Sequence, residues 1–361
     1  MYLPGELKEE LLTPCLCLDI ERLESNIRMM SDYLAQGGTR IRPHSKTHKC
    51  PTIAWMQLRA GAIGITCAKL SEAEVMARAG IRDILIANQI VGRARIARLA
   101  GLAAYTEVMV AVDTLQNARD LSQAAQRAGV TIRVLIEVEV GMGRCGVLPG
   151  EPALALASAI MDLPGLRLDG VMGYEGHAVM IPEQDARAEA ARKAMGILVG
   201  TRDLLVANGI PVAIVSGGGS GTYDSTGVFP GVTEIQAGSY ATMDAKYHSV
   251  GLPFVHALTI QATVVGMRGT DVAITDAGMK TMTSEFGMPT VIHPEGWELE
   301  RLAEEHGFLR RTGGTALAVG DLVEMVPSHG CTTINLHDQY YVTRRGRLEA
   351  IWPIAARGCI I

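Results

Sequence analysis

The stretch EVMVAVDTLQNARDLSQAAQRAGVTIRVLIEVEV, residues 107–140, places an amphipathic segment between two short apolar runs. The runs EVMVAVDT and TIRVLIEVEV are rich in valine and isoleucine, as buried strands are. The segment LQNARDLSQAAQRAG has apolar residues three and four positions apart and ends in glycine, which is typical of a helix packed on a sheet. A strand, a helix and a second strand in this order predict a parallel βαβ unit.

The same alternation extends in both directions from this stretch. The candidate strands are RIRPHSK, AIGITCAK, DILIANQIV, EVMVAVDT, TIRVLIEVEV, LRLDGVMGY, PVAIVSGG and TEIQAGSY. Helix-like segments such as SEAEVMARAG separate most of them. Eight strand-helix repeats predict an α/β fold of the (β/α)8 TIM-barrel type, which needs about 250 residues. A doubly wound parallel sheet is the alternative, because the pattern does not show closure.

The pattern changes after Tyr240, where β-rich segments such as HALTIQATVVGMRGTDVAITDAG begin. The one long helix expected in this part is EGWELERLAEEHG, residues 295–307. A chain of 361 residues is too long for the barrel alone. The sequence therefore predicts a C-terminal β-rich domain after the barrel.

The composition excludes several classes of protein. Hydrophobic residues make up 48% and charged residues 20%, which describes a globular chain with a large core. The net charge of −5 and 4% aromatic residues give no sign of nucleic-acid binding. Seven scattered cysteines do not resemble a disulfide framework, and no membrane span or signal peptide is visible. We therefore expect reduced thiols and a cytoplasmic location.

The segment RPHSKTHK, residues 42–49, concentrates basic side chains in this acidic chain. Lys46 ends the first candidate strand, and barrels place their active-site residues at the C-terminal ends of strands. Nearby cations such as Arg42 and His44, with burial in a barrel mouth, would lower the pKa of a lysine toward the neutral amine that attacks carbonyl groups. Lys46 is therefore a candidate for covalent catalysis, with a solvated basic strand end as the alternative.

Four other strand ends carry groups that could bind a ligand. VSGGGSGTY (215–223) and QAGSY (236–240) follow the last two strands, where barrels often bind phosphate on backbone N–H groups. EVGMGRCG contributes Arg144, whose permanent charge could reach a phenolate or phosphate oxygen. GYEGH contributes Tyr174 and His177, which could contact an aromatic ligand. Plain turns, a surface arginine and a structural histidine are the alternatives.

The segment PSHGCTT, residues 327–333, contains His329 and Cys331 two positions apart. On an extended chain these side chains lie on one face. Imidazole and thiolate suit zinc or a similar borderline metal, and two ligands would leave positions for water or substrate. An incidental pair is the alternative.

Taken together, RPHSKTHK, GMGRCG, GYEGH, SGGGSGTY, QAGSY and PSHGCTT resemble the fold-type III pyridoxal phosphate (PLP) enzymes, and most closely the D-serine dehydratase and D-threonine aldolase family. The motifs occur in family order over nearly the whole chain. The resemblance implies an alanine racemase-like PLP-binding barrel over residues 20–250. It also implies a β-rich domain, formed by residues 1–19 and 251–361, that carries a metal site, and a homodimer.

The resemblance also implies roles for individual residues. Lys46 matches the position of covalent cofactor attachment, and Lys46, His44 and His329 are the catalytic candidates. Arg144 matches a residue near the phenolic oxygen of the cofactor, and Tyr174 one beside the pyridine ring. The residues that match the phosphate site are Gly219, Ser220, Gly221, Thr222, Gly238, Ser239 and Tyr240.

His329 and Cys331 match the divalent-metal pair of the family. The His-x-Cys pattern resembles the D-serine and D-threo-3-hydroxyaspartate dehydratases, whereas D-threonine aldolases resemble His-x-Asp. A thiolate favours zinc, with manganese, magnesium or cobalt as alternatives.

The resemblance implies a PLP- and metal-dependent lyase that acts on small D-β-hydroxy amino acids. Cys331 favours a dehydratase that converts D-serine or D-threo-3-hydroxyaspartate to a 2-oxo acid and ammonia. The alternative is an aldolase that gives glycine and an aldehyde. A racemase would have no use for the metal, and a non-catalytic PLP carrier would lack the β-rich domain.

Overall fold

The structure, a computed structural model of the chain, describes residues 2–361. These residues form two compact units. The barrel unit consists of Met30–Lys46, Ile53–Gly238 and Cys359–Ile361, and the sheet unit of residues 2–29, Thr47–Thr52 and Ser239–Gly358. The chain therefore leaves the barrel unit directly after two predicted site residues, Lys46 and Gly238. The predicted domain limits at residues 19 and 250 stay a prediction.

The elements of the described residues are numbered in chain order. The strands are β1 (Cys15–Asp19), β2 (Arg40–Ile41), β3 (Ile65–Cys67), β4 (Asp83–Gln89), β5 (Glu107–Val112), β6 (Ile132–Glu137), β7 (Leu166–Met172), β8 (Ile214–Gly217), β9 (Glu234–Ile235), β10 (Leu258–Arg268), β11 (Val272–Thr275), β12 (Thr290–His293), β13 (Trp297–Leu302), β14 (Gly307–Arg311), β15 (Leu322–Val326), β16 (Gln339–Arg344) and β17 (Arg347–Pro353). The α-helices are α1 (Ile20–Gly37), α2 (Pro51–Arg59), α3 (Leu70–Arg78), α4 (Arg93–Ala103), α5 (Leu115–Ala128), α6 (Glu151–Met161), α7 (Gln184–Ala207), α8 (Tyr223–Thr226), α9 (Ala245–His248) and α10 (Gly330–Ile334).

Eight strands of the barrel unit form a parallel sheet in the order β2-β9-β8-β7-β6-β5-β4-β3. Each of the eight apolar runs predicted from the sequence supplies one of these strands. Beyond the end of β2, a parallel bridge joins His44 to Thr66 of β3, so the two ends of the strand order meet. The predicted TIM-barrel fold is confirmed, and the open doubly wound sheet is excluded.

The segment that closes the barrel is hydrogen-bonded on both sides. On the β9 side, the backbone N–H of His44 donates to the carbonyl oxygen of Ala237 at 3.0 Å. On the β3 side, the N–H of Ser45 donates to the carbonyl oxygen of Thr66 at 2.7 Å. A one-residue slip would turn every side chain of the segment to the opposite face. The backbone that leads into Lys46 is therefore held in a single register.

Apolar packing inside and outside the barrel explains the strand and helix patterns. A buried cluster of Leu85, Met109, Ala111, Leu135 and Met172 unites side chains from four neighbouring strands. Removal of this apolar surface from water is the main favourable contribution to folding.

Helix α5 shows how the local sequence sets the limits of an outer helix. The hydroxyl of Thr114 accepts the N–H of Asn117 at the start of the helix. Gly129 ends it with a φ of 65°, a left-handed conformation that favours glycine. Ala118 and Leu121, three positions apart, are buried on the face toward the sheet.

Arg42 was expected to be one of the cations beside Lys46, and this prediction is wrong. The buried guanidinium donates to both carboxylate oxygens of Glu234 at 3.0 and 3.1 Å and to Asp83 at 2.9 Å. Burial disfavours the charge of Arg42, but the two carboxylates raise its pKa above the usual value. Its charge is neutralised by Glu234 of β9 and Asp83 of β4, which are close to Arg42 in space and distant from it in the sequence.

The sheet unit contains a nine-stranded sheet. The main path is β13-β14-β11-β10-β1-β16-β17, and β15 pairs with β10 and β12. Strand β1 lies antiparallel to β10 and parallel to β16. Strand β1 of the N-terminal segment thus pairs with strands from the last third of the chain.

The helix predicted over residues 295–307 is wrong, because this segment forms β13 and the start of β14. Trp297 and Leu299 are buried, whereas Glu298 and Glu300 between and after them are exposed. This alternation has the period of two that a strand with one buried face requires. The high content of glutamate and leucine favoured a helix, but pairing with β14 determines the conformation.

Two further expectations concern the described residues as a whole. All seven cysteines stand as thiols in this structure. No helix among residues 2–361 is both long enough and apolar enough to cross a membrane.

Glu234→Ala should destabilise the barrel because it leaves Arg42 buried without its bidentate partner. Breaking a buried ion pair from one side costs about 3 kcal/mol or more. Denaturant unfolding monitored by circular dichroism measures the loss. Glu300→Ala removes an exposed partner of Arg310 and serves as the matched control, with a much smaller expected change. Equal stabilities of the two variants would contradict the importance of the buried pair.

Candidate active site

Lys46 lies in the turn of residues 45–48 that follows the closing segment of the barrel. Its Nζ is 5.8 Å from the centroid of the Tyr174 ring. The backbone N–H of Lys46 donates to Nδ1 of the buried His44 at 3.4 Å. Three predicted site residues therefore meet at the C-terminal end of the barrel strands, where barrel enzymes carry their active sites.

Arg144 also lies over Tyr174, with 5.9 Å between the guanidinium carbon and the ring centroid. Its Nη2 is 3.8 Å from Oε1 of Glu137, a buried residue at the end of β6. Burial raises the pKa of Glu137, although hydrogen bonding from Gln89 and the charge of Arg144 act in the opposite direction. Glu137 thus holds Arg144 toward the Tyr174 ring, a role that the sequence did not reveal.

The loop that carries Arg144 is organised by the side chain of Glu139. Its carboxylate accepts the backbone N–H groups of Gly141 at 2.5 Å and Gly143 at 2.9 Å. Burial would raise the pKa of Glu139, but these hydrogen bonds lower it below the usual value. His177 packs against Gly141, where a Cβ would lie 2.8 Å from its ring. His177 therefore supports this loop by packing.

The glycine-rich loop after β8 leaves no room for a side chain at Gly221 and little room at Gly219. A Cβ on Gly221 would lie 2.1 Å from the carbonyl oxygen of Val179. A Cβ on Gly219 would lie 3.2 Å from the ring of Tyr174. Ser220 and Thr222 of the same loop are buried. The glycines let the loop pack closely against Val179 and Tyr174, and successive glycine N–H groups are the kind of backbone that binds phosphate, so the loop is compatible with the predicted phosphate group.

His329 and Cys331 lie at the start of α10, so the prediction of an extended segment is wrong. His329 has an extended backbone and precedes the first helical residue, and Cys331 is already in the helix. The N–H of Gly330 donates to the buried carboxylate of Asp244 at 3.0 Å, which holds this turn in place. The His329 imidazole nevertheless hydrogen-bonds the Cys331 side chain, so the predicted pair is brought together.

The ring of His329 is fixed by two neighbours from the β-rich region. Its Nδ1 lies 2.7 Å from Oε1 of Glu285, and the ring of Phe286 stacks on it at 4.3 Å and 11°. Burial disfavours the charged ring, but hydrogen bonds to Cys331 and Glu285 raise the pKa of His329 to about 9. A carboxylate on one ring nitrogen is the usual arrangement for a histidine that binds metal through the other.

The sulfur of Cys331 has two hydroxyl neighbours within the sheet unit. Thr47 Oγ1 lies 3.3 Å and Ser239 Oγ 4.0 Å from Sγ. Ser239, which the resemblance assigned to phosphate, therefore lies beside the predicted metal pair. The ring of the buried Tyr240 packs on Phe254 with a centroid distance of 5.6 Å. The phosphate roles of Ser239 and Tyr240 stay predictions.

Within residues 2–361, no group of three or more His, Cys, Asp or Glu side chains is arranged to hold a metal ion. The predicted site thus rests on one imidazole and one thiol. This donor set fits a borderline cation whose remaining positions are filled by water or substrate.

A closed parallel (β/α)8 barrel together with a β-rich unit is the alanine racemase-like fold of the fold-type III PLP enzymes. The family model for the alanine racemase N-terminal domain matches residues 18–246. A second model, for a serine dehydratase domain, matches residues 257–343. The chain belongs to the alanine racemase N-terminal domain family, with a dehydratase-type C-terminal region.

Relatives of known name match nearly the whole chain. A D-threonine aldolase from Arthrobacter is 41% identical over 98% of this chain and 95% of its own length. A 3-hydroxy-D-aspartate aldolase from Paracoccus denitrificans is 37% identical over 99% and 95%. A D-threo-3-hydroxyaspartate dehydratase from Delftia is 30% identical over 89% and 91%. The prediction of a lyase is confirmed at the level of this family.

Solved structures agree with these relatives. The D-threonine aldolase of Filomicrobium marinum has a TM-score of 0.97 and 38% identity, with complete coverage of both chains. A cysteine-to-alanine mutant of a D-threo-3-hydroxyaspartate dehydratase, described as the metal-free form, has a TM-score of 0.89 and 28% identity over 96% of this chain and 98% of its own.

Gly221→Ala should weaken binding of PLP by at least about tenfold, because the new methyl group would displace the loop or Val179. Gly200→Ala is the matched control, since its Cβ would meet open space in α7. That variant should bind PLP normally and gain up to about 1 kcal/mol of stability. Absorbance titration and thermal unfolding measure both effects. Normal binding by Gly221→Ala would contradict the cradle.

Proposed function

We propose that this protein is a PLP- and divalent-metal-dependent lyase that acts on small D-β-hydroxy amino acids. The observation that carries the proposal is the presence, in one chain, of two separate sets of groups. The barrel unit brings Lys46, Tyr174 and Arg144 together, and the sheet unit brings His329 and Cys331 together. Relatives that match almost the whole chain are named for aldol cleavage or dehydration of such substrates.

The cofactor would be held by the residues of the barrel unit. Lys46 would bind it covalently, Arg144 and Tyr174 would flank its ring, and the backbone of Gly219 and Gly221 would receive its phosphate. When bound, PLP supplies an electron sink for the bond that breaks at Cα. The protein's own contribution is to fix the ring and to hold the amine of Lys46 at its edge.

His329 and Cys331 would hold the metal, with zinc favoured by the thiolate and manganese, magnesium or cobalt as alternatives. When bound, the cation supplies a Lewis acid for the β-hydroxyl group. Glu285 orients the His329 ring, and Thr47 lies within hydrogen-bonding distance of the Cys331 sulfur.

Cleavage of the Cα–Cβ bond is the reaction that we favour. The two aldolases are 41% and 37% identical to this chain, compared with 30% for the dehydratase. Identity over the whole chain reflects all the residues of the site, whereas Cys331 is a single position. In cleavage, the proton of the β-hydroxyl is removed while Cα keeps its own proton. The products from a D-threonine-like substrate would be glycine and an aldehyde.

Dehydration is the second candidate, and Cys331 is the observation that favours it. In this reaction Lys46 would remove the α-proton and hydroxide would leave from Cβ. Water would then hydrolyse the released enamine to a 2-oxo acid and ammonia. The relative named as a metal-free form is a dehydratase that lacks a cysteine. The homodimer and the cytoplasmic location stay predictions beside both candidates.

Product analysis with a panel of D-β-hydroxy amino acids tests the proposal and separates the two reactions. Glycine with an aldehyde identifies cleavage, and a 2-oxo acid with ammonia identifies dehydration. Chelation of the metal should abolish turnover while PLP stays bound, because the cofactor contacts involve other residues. Activity that survives complete metal removal would contradict the role of His329 and Cys331.

Borohydride reduction of the holoenzyme should attach the cofactor irreversibly to Lys46. Its Nζ lies beside Tyr174 at the end of the barrel strands, where the cofactor ring is expected. Peptide mapping by mass spectrometry identifies the labelled residue. A label on Lys49, Lys69 or Lys280 would overturn the assignment.

Cys331→Asp exchanges a soft thiolate for a hard carboxylate at the predicted metal pair. The variant should lose zinc-supported activity and be better supported by manganese or magnesium. If the thiolate favours loss of hydroxide, any dehydration should fall more than cleavage. Release of oxo acid and of aldehyde, measured with each metal for both proteins, tests this. An unchanged metal preference would show that Cys331 does not determine it.

A further inference from the structure

Glu175 is a fully buried carboxylate at the end of β7 that none of the proposed steps uses. It directly follows Tyr174 in the motif GYEGH. Its Oε1 accepts the hydroxyls of Thr222 at 2.7 Å and Thr226 at 2.5 Å, and its Oε2 accepts the N–H of Gly218 at 3.1 Å. All three donors lie in the loop and short helix that follow β8.

A carboxylate removed from water is costly unless donors surround it. The donors here are neutral groups of one loop, so the loop and the carboxylate depend on each other. Removal of either side would leave buried polar atoms without partners, which costs more than the loss of an exposed hydrogen bond. The contact therefore has a strong effect on the shape of the loop.

The hydrogen bonds of Glu175 fix both ends of the glycine cradle. Gly218, at one end, has a φ of +78°, and its N–H points to the carboxylate. Thr222, at the other end, donates its hydroxyl proton to Glu175 and accepts the N–H of Gly219 at 3.2 Å. The backbone between these ends, which includes Gly221, is thereby held in one curvature.

We propose that Glu175 is the positioning residue for the phosphate cradle, an inference that rests on the proposed binding of PLP. It shapes the loop from behind and does not touch the ligand. Because Tyr174 is the preceding residue, the same strand end also places the ring that lies beside Lys46 and Arg144. The motif GYEGH thus fixes the position of the glycine cradle relative to the ring of Tyr174.

Glu175→Gln tests the proposal, since an amide keeps the volume but cannot accept all three hydrogen bonds. The readout is the dissociation constant of the full-length apoprotein for PLP and for pyridoxal, which lacks the phosphate. We expect PLP affinity to fall by about tenfold or more, with little change for pyridoxal. A purely structural role would weaken both ligands equally.

Thr226→Val and Thr226→Ser form a matched pair that keeps the test decisive if Glu175→Gln folds poorly. Valine removes the hydroxyl that donates to Glu175, and serine retains it. Thr226→Val should lower the ratio of PLP to pyridoxal affinity, and Thr226→Ser should preserve it. Glu183→Gln, on an exposed residue before α7, should leave both affinities unchanged.

Two results would overturn the inference in distinguishable ways. If the wild-type protein binds PLP no more tightly than pyridoxal, the phosphate cradle itself is absent and the proposed function fails first. If the wild type prefers PLP and both Glu175→Gln and Thr226→Val keep that full preference, the cradle stands and Glu175 does not position it.

Discussion

The chemistry proposed for this chain depends on the closure of the barrel at residues 42–45. Hydrogen bonds to Ala237 on one side and Thr66 on the other leave this segment one register. The register decides which side chains point inward and where the strand gives way to the turn that holds Lys46. Closure of the parallel sheet therefore places Lys46 and Tyr174 at the same C-terminal end of the barrel, although their strands are far apart in the sequence.

The parts of the fold that were predictable are those determined by local pattern. All eight barrel strands were visible as apolar runs, since buried parallel strands need apolar residues on both faces. The segment 295–307 was misread because its composition favours a helix while its partner strand, which the sequence does not reveal, imposes an extended form. Arg42 was misjudged for the same reason: its neighbours in the chain are cations, and its neighbours in space are Glu234 and Asp83.

The candidate site, like the fold, was predictable only where the local sequence carries a pattern. Motifs and family resemblance predicted which residues would touch a ligand. They missed the carboxylates behind them, which are Glu137 behind Arg144 and Glu285 behind His329. Each of these acids is separated in the sequence from the group it holds, and an isolated glutamate carries no pattern. Such supporting contacts emerge only when the fold brings the strand ends and loops together.

The strand that was mistaken for a helix has a further consequence for how the molecule avoids aggregation. β13 is the edge of its sheet, and the exposed charges of Glu298 and Glu300 discourage another chain from pairing there. The opposite edge strand is shielded differently, because Leu348 exchanges backbone hydrogen bonds of 2.8 Å with Gly5 and Glu6. The barrel sheet is closed, so it has no exposed edge strand. The glutamates that favoured a helix prediction for this segment therefore protect the exposed edge strand β13 from pairing with another chain.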